Sequence, residues 1–340
     1  LRTRLERMGL GEDREPQLTG IDAGDSLLEA DLAWHVRAWG RWVLRRARKE
    51  LARFYPIYAE FEPLGEHLTT WRKKKRDSAL QLVTLDEEGR ANIAALNAEF
   101  DEAYLADKRN ARWVAKPTVA YLWARTVTCK NCRATIPLLK TRWLCKKDAR
   151  RVLLAMEPNS DKTGVIFGVQ KEVPIVGANG AARREHDKRI GAGTMSRTGV
   201  QCPCCPTIMT MEDIRLESRA GRLAMAMTAV VVDGREGKEY RLPTELELCC
   251  AVDAEREVPK VFADIPFGLP TEPTPKAGVG ASRAFSVDLY GIDQWNKLFT
   301  PRQLVALGTL TRSVRELTQK GASAECAESW IMHAIPYLAL

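Results

Sequence analysis

The chain has 340 residues, 45% hydrophobic and 28% charged, with a formal net charge of +8 and nine cysteines. That length supports one large or two to three ordinary folded units, and no apolar run approaches the roughly 18–20 residues of a membrane span, so composition points to a soluble, cytoplasmic protein. An odd number of cysteines, in a chain able to build its own core and showing no secretory leader, argues against a disulfide framework and for reduced thiols.

Residues 1–23 are charged and interrupted by Gly9, Gly11, Pro16 and Gly20, the composition of a helical turn running into a loop. Asp25-Ser26 offers an N-cap for a long amphipathic helix, in which Leu32, Val36, Trp39, Val43, Ala47 and Leu51 recur at helical spacing up to Pro56. Arg37, Arg41, Arg45 and Arg48 fall on the opposite face, either solvated or set against phosphate. Trp34, Trp39 and Trp42 are too many for a surface and are expected to pack into a core that extends beyond this chain. His35 shares that side as a structural histidine. The chain begins at Leu1 without Met and ends on the apolar run Ile335-Pro-Tyr-Leu-Ala-Leu340, so it is expected to be a piece of a longer polypeptide.

Residues 62–115 have the composition of a charged insertion. Its basic run Trp71-Arg-Lys-Lys-Lys-Arg76 fits either a nucleic-acid footprint or a solvated loop, and residues 91–105 are helix-like. Positions 107–151 hold thirteen Lys or Arg against two acids, a local net of +11 that exceeds the charge of the whole chain. The candidate phosphate contacts are Lys130, Arg133, Lys140, Arg142, Lys146, Lys147, Arg150 and Arg151.

Residues 118–127 and 135–139 have strand composition, as do the shorter segments 165–169 and 173–176. The Gly-, Ala- and Arg-rich stretch 177–193 lacks the order of a phosphate loop, and His186 within it is expected at the surface. Residue 211 opens a helix. Residues 223–232, Asp233-Gly234 and 238–242 form a hairpin signature. Pro243-Thr244 starts an acidic helix to about residue 262, and the Pro-rich stretch 265–275 excludes helix and central strand. The final helix has Thr300 as N-cap, Pro301 at its first position and Gln303 to close a capping box, with Leu304, Leu307, Leu310, Val314 and Leu317 along one side.

Two cysteine pairs organise these elements. Cys129-Lys-Asn-Cys132 and Cys202-Pro-Cys-Cys205 each place two thiols three positions apart, with 69 residues between the pairs. Each pair is half of a tetrahedral thiolate site, and the two halves together suit Zn2+. In small zinc modules, metal binding supplies about 10–16 kcal/mol to folding. A redox dithiol needs only one such pair and a βαβ frame, which neither pair has. Cys204 competes with Cys202 and Cys205, but the spacing selects the outer two. Cys145, Cys249, Cys250 and Cys326 have no partner spacing and are expected to be small buried hydrophobes. The expected architecture is α+β. A split four-cysteine zinc ribbon with a β-hairpin (116–245) follows a helical segment (1–61) and the charged insertion (62–115), and a Pro-rich connector with C-terminal helices (246–340) completes the chain.

Several strings occur in one order: Tyr121-Leu-Trp-Ala-Arg-Thr-Val-Thr-Cys129, Ile136-Pro-Leu-Leu139, Trp143-Leu-Cys-Lys-Lys147, Gly193-Thr-Met-Ser-Arg197, Ala220-Gly-Arg-Leu223, Tyr240-Arg-Leu-Pro-Thr-Glu245, Ile265-Pro-Phe-Gly-Leu-Pro270 and Leu298-Phe-Thr-Pro-Arg-Gln-Leu304. Across about residues 31–320 the chain resembles the middle of the bacterial and archaeal adenine-specific DNA methylases that contain a zinc ribbon. The resemblance implies methyl transfer from S-adenosylmethionine to adenine in duplex DNA, with the rest of the methyltransferase polypeptide as a further partner. In that family the cofactor loop and the [DNS]-P-P-[YFW] motif flank the stretch present here. Asp264-Ile-Pro-Phe267 approximates the second motif but has Ile in place of its first Pro. No catalytic or S-adenosylmethionine-binding residue is therefore assigned. Arg133 and Pro206 stand where a knuckle commonly carries Gly. A non-enzymatic zinc-binding adaptor for nucleic acid or protein is the alternative function, and a dithiol redox protein a third.

Overall fold

The computed structural model describes residues 32–64, 80–87, 89–235, 237–278 and 286–321. The Asp25-Ser26 cap, the basic run 71–76, Cys326, the terminal apolar run and the side chains of Trp34 and His35 lie outside the described structure.

The elements follow in chain order. Helix α1 (Leu32–Leu51) leads to strands β1 (Ile57–Pro63) and β2 (Gln81–Val83), then to short helices α2 (Ile93–Leu96) and α3 (Glu102–Ala106). Strands β3 (Ala111–Lys116), β4 (Thr118–Thr128), β5 (Thr135–Pro137), β6 (Trp143–Lys147), β7 (Arg150–Pro158) and β8 (Val165–Gln170) precede helix α4 (Gly180–Ile190). After β9 (Gly199–Gln201) and β10 (Ile208–Thr210) come α5 (Met211–Arg219), β11 (Ala224–Gly234), β12 (Gly237–Arg241), α6 (Glu245–Phe262) and α7 (Pro301–Gly321). The fold is mixed α and β, and every paired strand runs antiparallel, in the orders β2-β1-β3, β12-β11-β4-β5, β6-β7-β8 and β10-β9.

Local chemistry sets the helix starts. Thr244 and Glu247 form a reciprocal capping box at α6. At α7 the Thr300 amide donates to Gln303 Oε1 at 2.8 Å, and the Gln303 amide donates to Thr300 Oγ1 at 3.3 Å. The two helices then close a core of Phe54, Ala254, Val258, Val261, Phe262, Leu304 and Val305. Gly308 permits the close approach, because a Cβ there would lie 2.5 Å from Val261 Cγ1. Val43 of α1 packs with Val314 and Leu317 of α7, flanked by Trp39 and Trp42. Trp39 and Trp42 are half-buried there. Leu307 is the one member of the expected apolar side that faces solvent.

Other departures from the pattern reading are local. The helix-like stretch 91–105 is two short helices capped by Asn92 and Asp101. Residues 173–176 form no strand. Asp233 pairs with Lys238 and Gly234 with Gly237, so both are strand positions rather than the turn of the hairpin. Cys250 is buried, but Cys145 is half-buried and Cys249 exposed. Strands β2 and β3 of the charged insertion flank β1 in one sheet. That sheet is tied to β12 by Lys116, which is 4% exposed and lies 3.3 Å from Glu60, 3.0 Å from Glu62 and 3.0 Å from Glu239.

Candidate metal centre

Both cysteine pairs sit at the tips of hairpins. In the first, β4 and β5 pair through Val127↔Ile136 and Thr128↔Thr135, and the turn is closed by the Cys129 amide on the Ala134 carbonyl at 2.8 Å. In the second, β9 and β10 pair through Val200↔Met209, and the Cys202 amide donates to the Thr207 carbonyl at 2.9 Å. Gly199 makes this ribbon possible: its φ is 143°, and a Cβ there would lie 1.9 Å from the Met209 carbonyl oxygen. The turn residues Arg133 and Pro206 have φ of 64° and 30°. Both occupy the left-handed region that glycine enters freely, and Pro206 does so against a ring that prefers about −65°.

Across the 69-residue gap the four sulfurs of Cys129, Cys132, Cys202 and Cys205 meet, all within 4.8 Å of one another. Sulfurs approach across the two knuckles, Cys129 to Cys205 at 3.7 Å and Cys132 to Cys202 at 3.6 Å. A tetrahedron with metal–sulfur arms of about 2.3 Å has an edge of about 3.8 Å. The cluster therefore has the dimensions of a four-thiolate metal site and is compatible with zinc. Disulfide bonding needs about 2.05 Å, and all four thiols are free. Cys204 is turned away, its Sγ 3.3 Å from the Gly164 carbonyl oxygen, so the outer two cysteines of the second knuckle are the ones that converge.

The site is half embedded. Cys129 and Cys202 are buried among Val127, Ala134, Ile136, Val200, Met209 and Ile214, while Cys132 is exposed. Backbone amides are aimed at the sulfurs, from Ala134 to Cys132, from Cys204 and Cys205 to Cys202, and from Thr207 to Cys205. The Thr207 hydroxyl and amide push Cys205 down to about 5, whereas burial pushes Cys202 well above the usual thiol range. Four thiols at this spacing cannot all ionise against one another, and a cation at their centre removes that conflict. With four protein donors the shell is complete, which is the arrangement of a structural site rather than one with an open position for substrate. Lys130 fastens the first knuckle to α5 through Asp213 at 2.7 Å.

Most of the other expected phosphate contacts are engaged within the fold. Arg142 donates to the carbonyls of Ile190 at 2.7 Å and Ala192 at 2.9 Å. Arg150 donates to the Lys238 carbonyl at 2.6 Å. Lys146 lies 3.2 Å from Asp187. Arg151, expected at the phosphate-facing surface, is instead buried: it pairs with Asp187 and donates to the Val173 carbonyl at 3.0 Å. Asp187 is held below the usual carboxylate range by hydrogen bonding from Arg151 and then from Lys146. Arg133, Lys140 and Lys147 remain exposed. The stretch 177–193 contains helix α4, capped by Asn179, which carries the exposed Arg183, Arg184, Lys188 and Arg189 that the linear charge count between 107 and 151 passes over. His186 is half-buried with Nδ1 unpartnered. Asp264-Ile-Pro-Phe267 forms an exposed turn in which Phe267 has φ 67° and is 99% exposed. No described helix is long and apolar enough to cross a membrane.

No family model matches the chain, and neither curated proteins nor solved structures provide a match.

Proposed function

We propose that this chain is the zinc-ribbon-bearing middle segment of an adenine-specific, S-adenosylmethionine-dependent DNA methyltransferase, in which it binds duplex DNA and helps choose the target. The observation that carries the zinc part is the convergence of Cys129, Cys132, Cys202 and Cys205 within 4.8 Å from two hairpins far apart in sequence. Zinc bound there supplies no chemistry to the methyl transfer. It ties two β-ribbons and the long insertion between them into one piece, as four-cysteine sites do. The DNA part is supported by the basic excess around the first knuckle and by the ordered strings of the resemblance. The S-adenosylmethionine site and the catalytic groups belong to the rest of the parent polypeptide, and the target adenine to the DNA. Thiolate ligation also fits a reducing, cytoplasmic setting.

Two measurements test the reading. Metal analysis of the purified chain should find one zinc per molecule, lost in Cys129→Ser and Cys205→Ser. Duplex DNA binding should weaken steeply with salt, as phosphate contacts require. One zinc with no DNA binding at low salt selects the adaptor reading, and absence of zinc removes the ribbon. The full reading frame decides the enzyme: a glycine-rich cofactor loop before this stretch and an aromatic-ended Pro-Pro motif after it are the expected flanks.

A further inference from the structure

The three-stranded sheet and α4 form the insertion between the two knuckles, and an unusual share of side chains holds α4 in place. Trp143 Nε1 donates to the Asp187 carbonyl at 2.9 Å from the middle of the helix. Arg142 covers the carbonyls at its C-terminal end, and Lys146 and Arg151 converge on the Asp187 carboxylate. Gly191 follows so closely against Trp143 that a Cβ would stand 2.1 Å from its Nε1. Four side chains of the basic hairpin β6-β7 therefore serve to position one short helix.

The helix so positioned turns Ala182, His186, Asp187 and Ile190 inward. Ala181, Arg183, Arg184, Glu185, Lys188 and Arg189 stay exposed, with Arg183 donating to the Gly177 carbonyl at 3.2 Å. Arg184, Lys188 and Arg189 make no ion pair among the described residues, while Asp187, which could have neutralised them, is already saturated by Arg151 and Lys146. A helix held rigidly with three unpaired cations outward fits a polyanion. The exposed face carries no residue larger than alanine among its apolar positions, so it lacks the apolar stripe by which an interfacial helix enters a membrane. Eleven residues make a rod about 16 Å long. A rod of that kind enters the roughly 12 Å wide major groove of B-form DNA, whereas the deep, narrow major groove of A-form RNA is closed to side chains.

We propose that α4 is the principal duplex-DNA contact of this chain, with Arg184, Lys188 and Arg189 on phosphates. The proposal rests on the DNA-binding reading above and replaces most of the linear basic stretch as its agent.

The test uses the full, zinc-loaded chain and a short fluorescent duplex, with anisotropy read over a range of salt. The triple variant Arg184→Ala, Lys188→Ala, Arg189→Ala should bind at least tenfold more weakly, and its slope of log affinity against log salt should fall by about 2.7, or 0.9 for each phosphate no longer neutralised. A charge-matched triple on already paired residues, Arg109→Ala, Arg222→Ala, Lys260→Ala, should match the wild type. Zinc content and circular dichroism of both variants confirm that folding is intact. If the wild type binds duplex DNA and the α4 triple binds equally well, α4 does not touch the duplex, though DNA binding stands. If the wild type does not bind, both readings fall. Equal or better competition by double-stranded RNA or phosphatidylserine vesicles overturns the assignment to B-form DNA.

Discussion

Withdrawing the metal should open one half of the site and leave the other closed. The Cys129 half is anchored by a sheet, since β4 runs beside β11 from Thr118↔Val232 to Thr126↔Ala224. The Cys202 half rests on the two short strands β9 and β10, joined to the rest of the chain through the Met195↔Val200 bridge and the Gln201 amide on the Thr194 carbonyl at 2.9 Å. An isolated two-stranded hairpin is marginal in water. Docked, it helps bury Val200, Met209 and Ile214, each 0% exposed. At about 1.5–3 kcal/mol per buried side chain, these three contribute roughly 5–9 kcal/mol. Ordering the twelve backbones of residues 199–210 costs roughly 12–24 kcal/mol, at about 1–2 kcal/mol each. The difference is of the order of the 10–16 kcal/mol that a structural zinc supplies. Chelation, or Cys202→Ser, should therefore release residues 199–210 while the β4-β11 core holds. Hydrogen exchange read by mass spectrometry checks this: the amides of Cys202, Thr207 and Met209 should lose protection, and those of Val230 and Val231 should keep it. Full protection of the second knuckle without metal would refute the reasoning, and so would simultaneous loss in β11.

Three further outcomes follow from single side chains. Lys116→Met leaves Glu60, Glu62 and Glu239 without their shared cation and should cost about 3–5 kcal/mol of unfolding free energy, as broken buried pairs do. Burial lowers the Lys116 pKa but the three carboxylates more than offset it, holding it above the ordinary 10.5, so its contribution is complete below that pH and fades as pH climbs through the folded value; denaturant titration at alkaline pH reads both effects. Arg133→Gly places at φ 64° the residue that prefers it, so thermal unfolding should show a gain of about 0.5–1 kcal/mol, the left-handed strain less the added glycine entropy. Cys204→Ser should retain one zinc per chain, because its sulfur faces the Gly164 carbonyl, whereas Cys132→Ser should lose it.

What could be read from the linear chain was local chemistry. The caps at Thr244 and Thr300 and the CxxC turns are each encoded within a few residues, and the structure places them as spacing predicts. The choice of Cys202 and Cys205 over Cys204 was legible for the same reason. Arg151 was not, because what makes it an interior cation is Asp187, 36 positions away, and nothing near Arg151 announces that partner. The strand β7 was hidden likewise: a run of buried residues from Arg151 to Leu154 begins in a sequence that reads as a block of charge. The partners that Trp39 and Trp42 of α1 do find, Val314 and Leu317, were hidden for the same reason, since they lie at the far end of the described chain.

The insertion between the knuckles has its own physical logic. Closing a floppy loop of 69 residues costs about 4 kcal/mol through the (3/2)RT ln n dependence alone. Folding the insertion removes most of that cost, because its two ends meet before the cysteines do. The Leu139 amide donates to Thr194 Oγ1 at 3.0 Å, the Met195 amide to the Leu139 carbonyl at 2.9 Å, and Thr141 bridges Ala192. Gly193 allows this close approach, since a Cβ would stand 1.9 Å from the Leu139 carbonyl oxygen. From this clamp only a few residues lead back to each knuckle, so the two half-sites behave as near neighbours. The same clamp makes the path from metal to α4 short and stiff, because Ile190 and Ala192, at the end of that helix, are held by Arg142 beside it. The base of the helix that carries the exposed cations is thereby tied to the second knuckle, and a metal held by the four cysteines would set the orientation of the insertion.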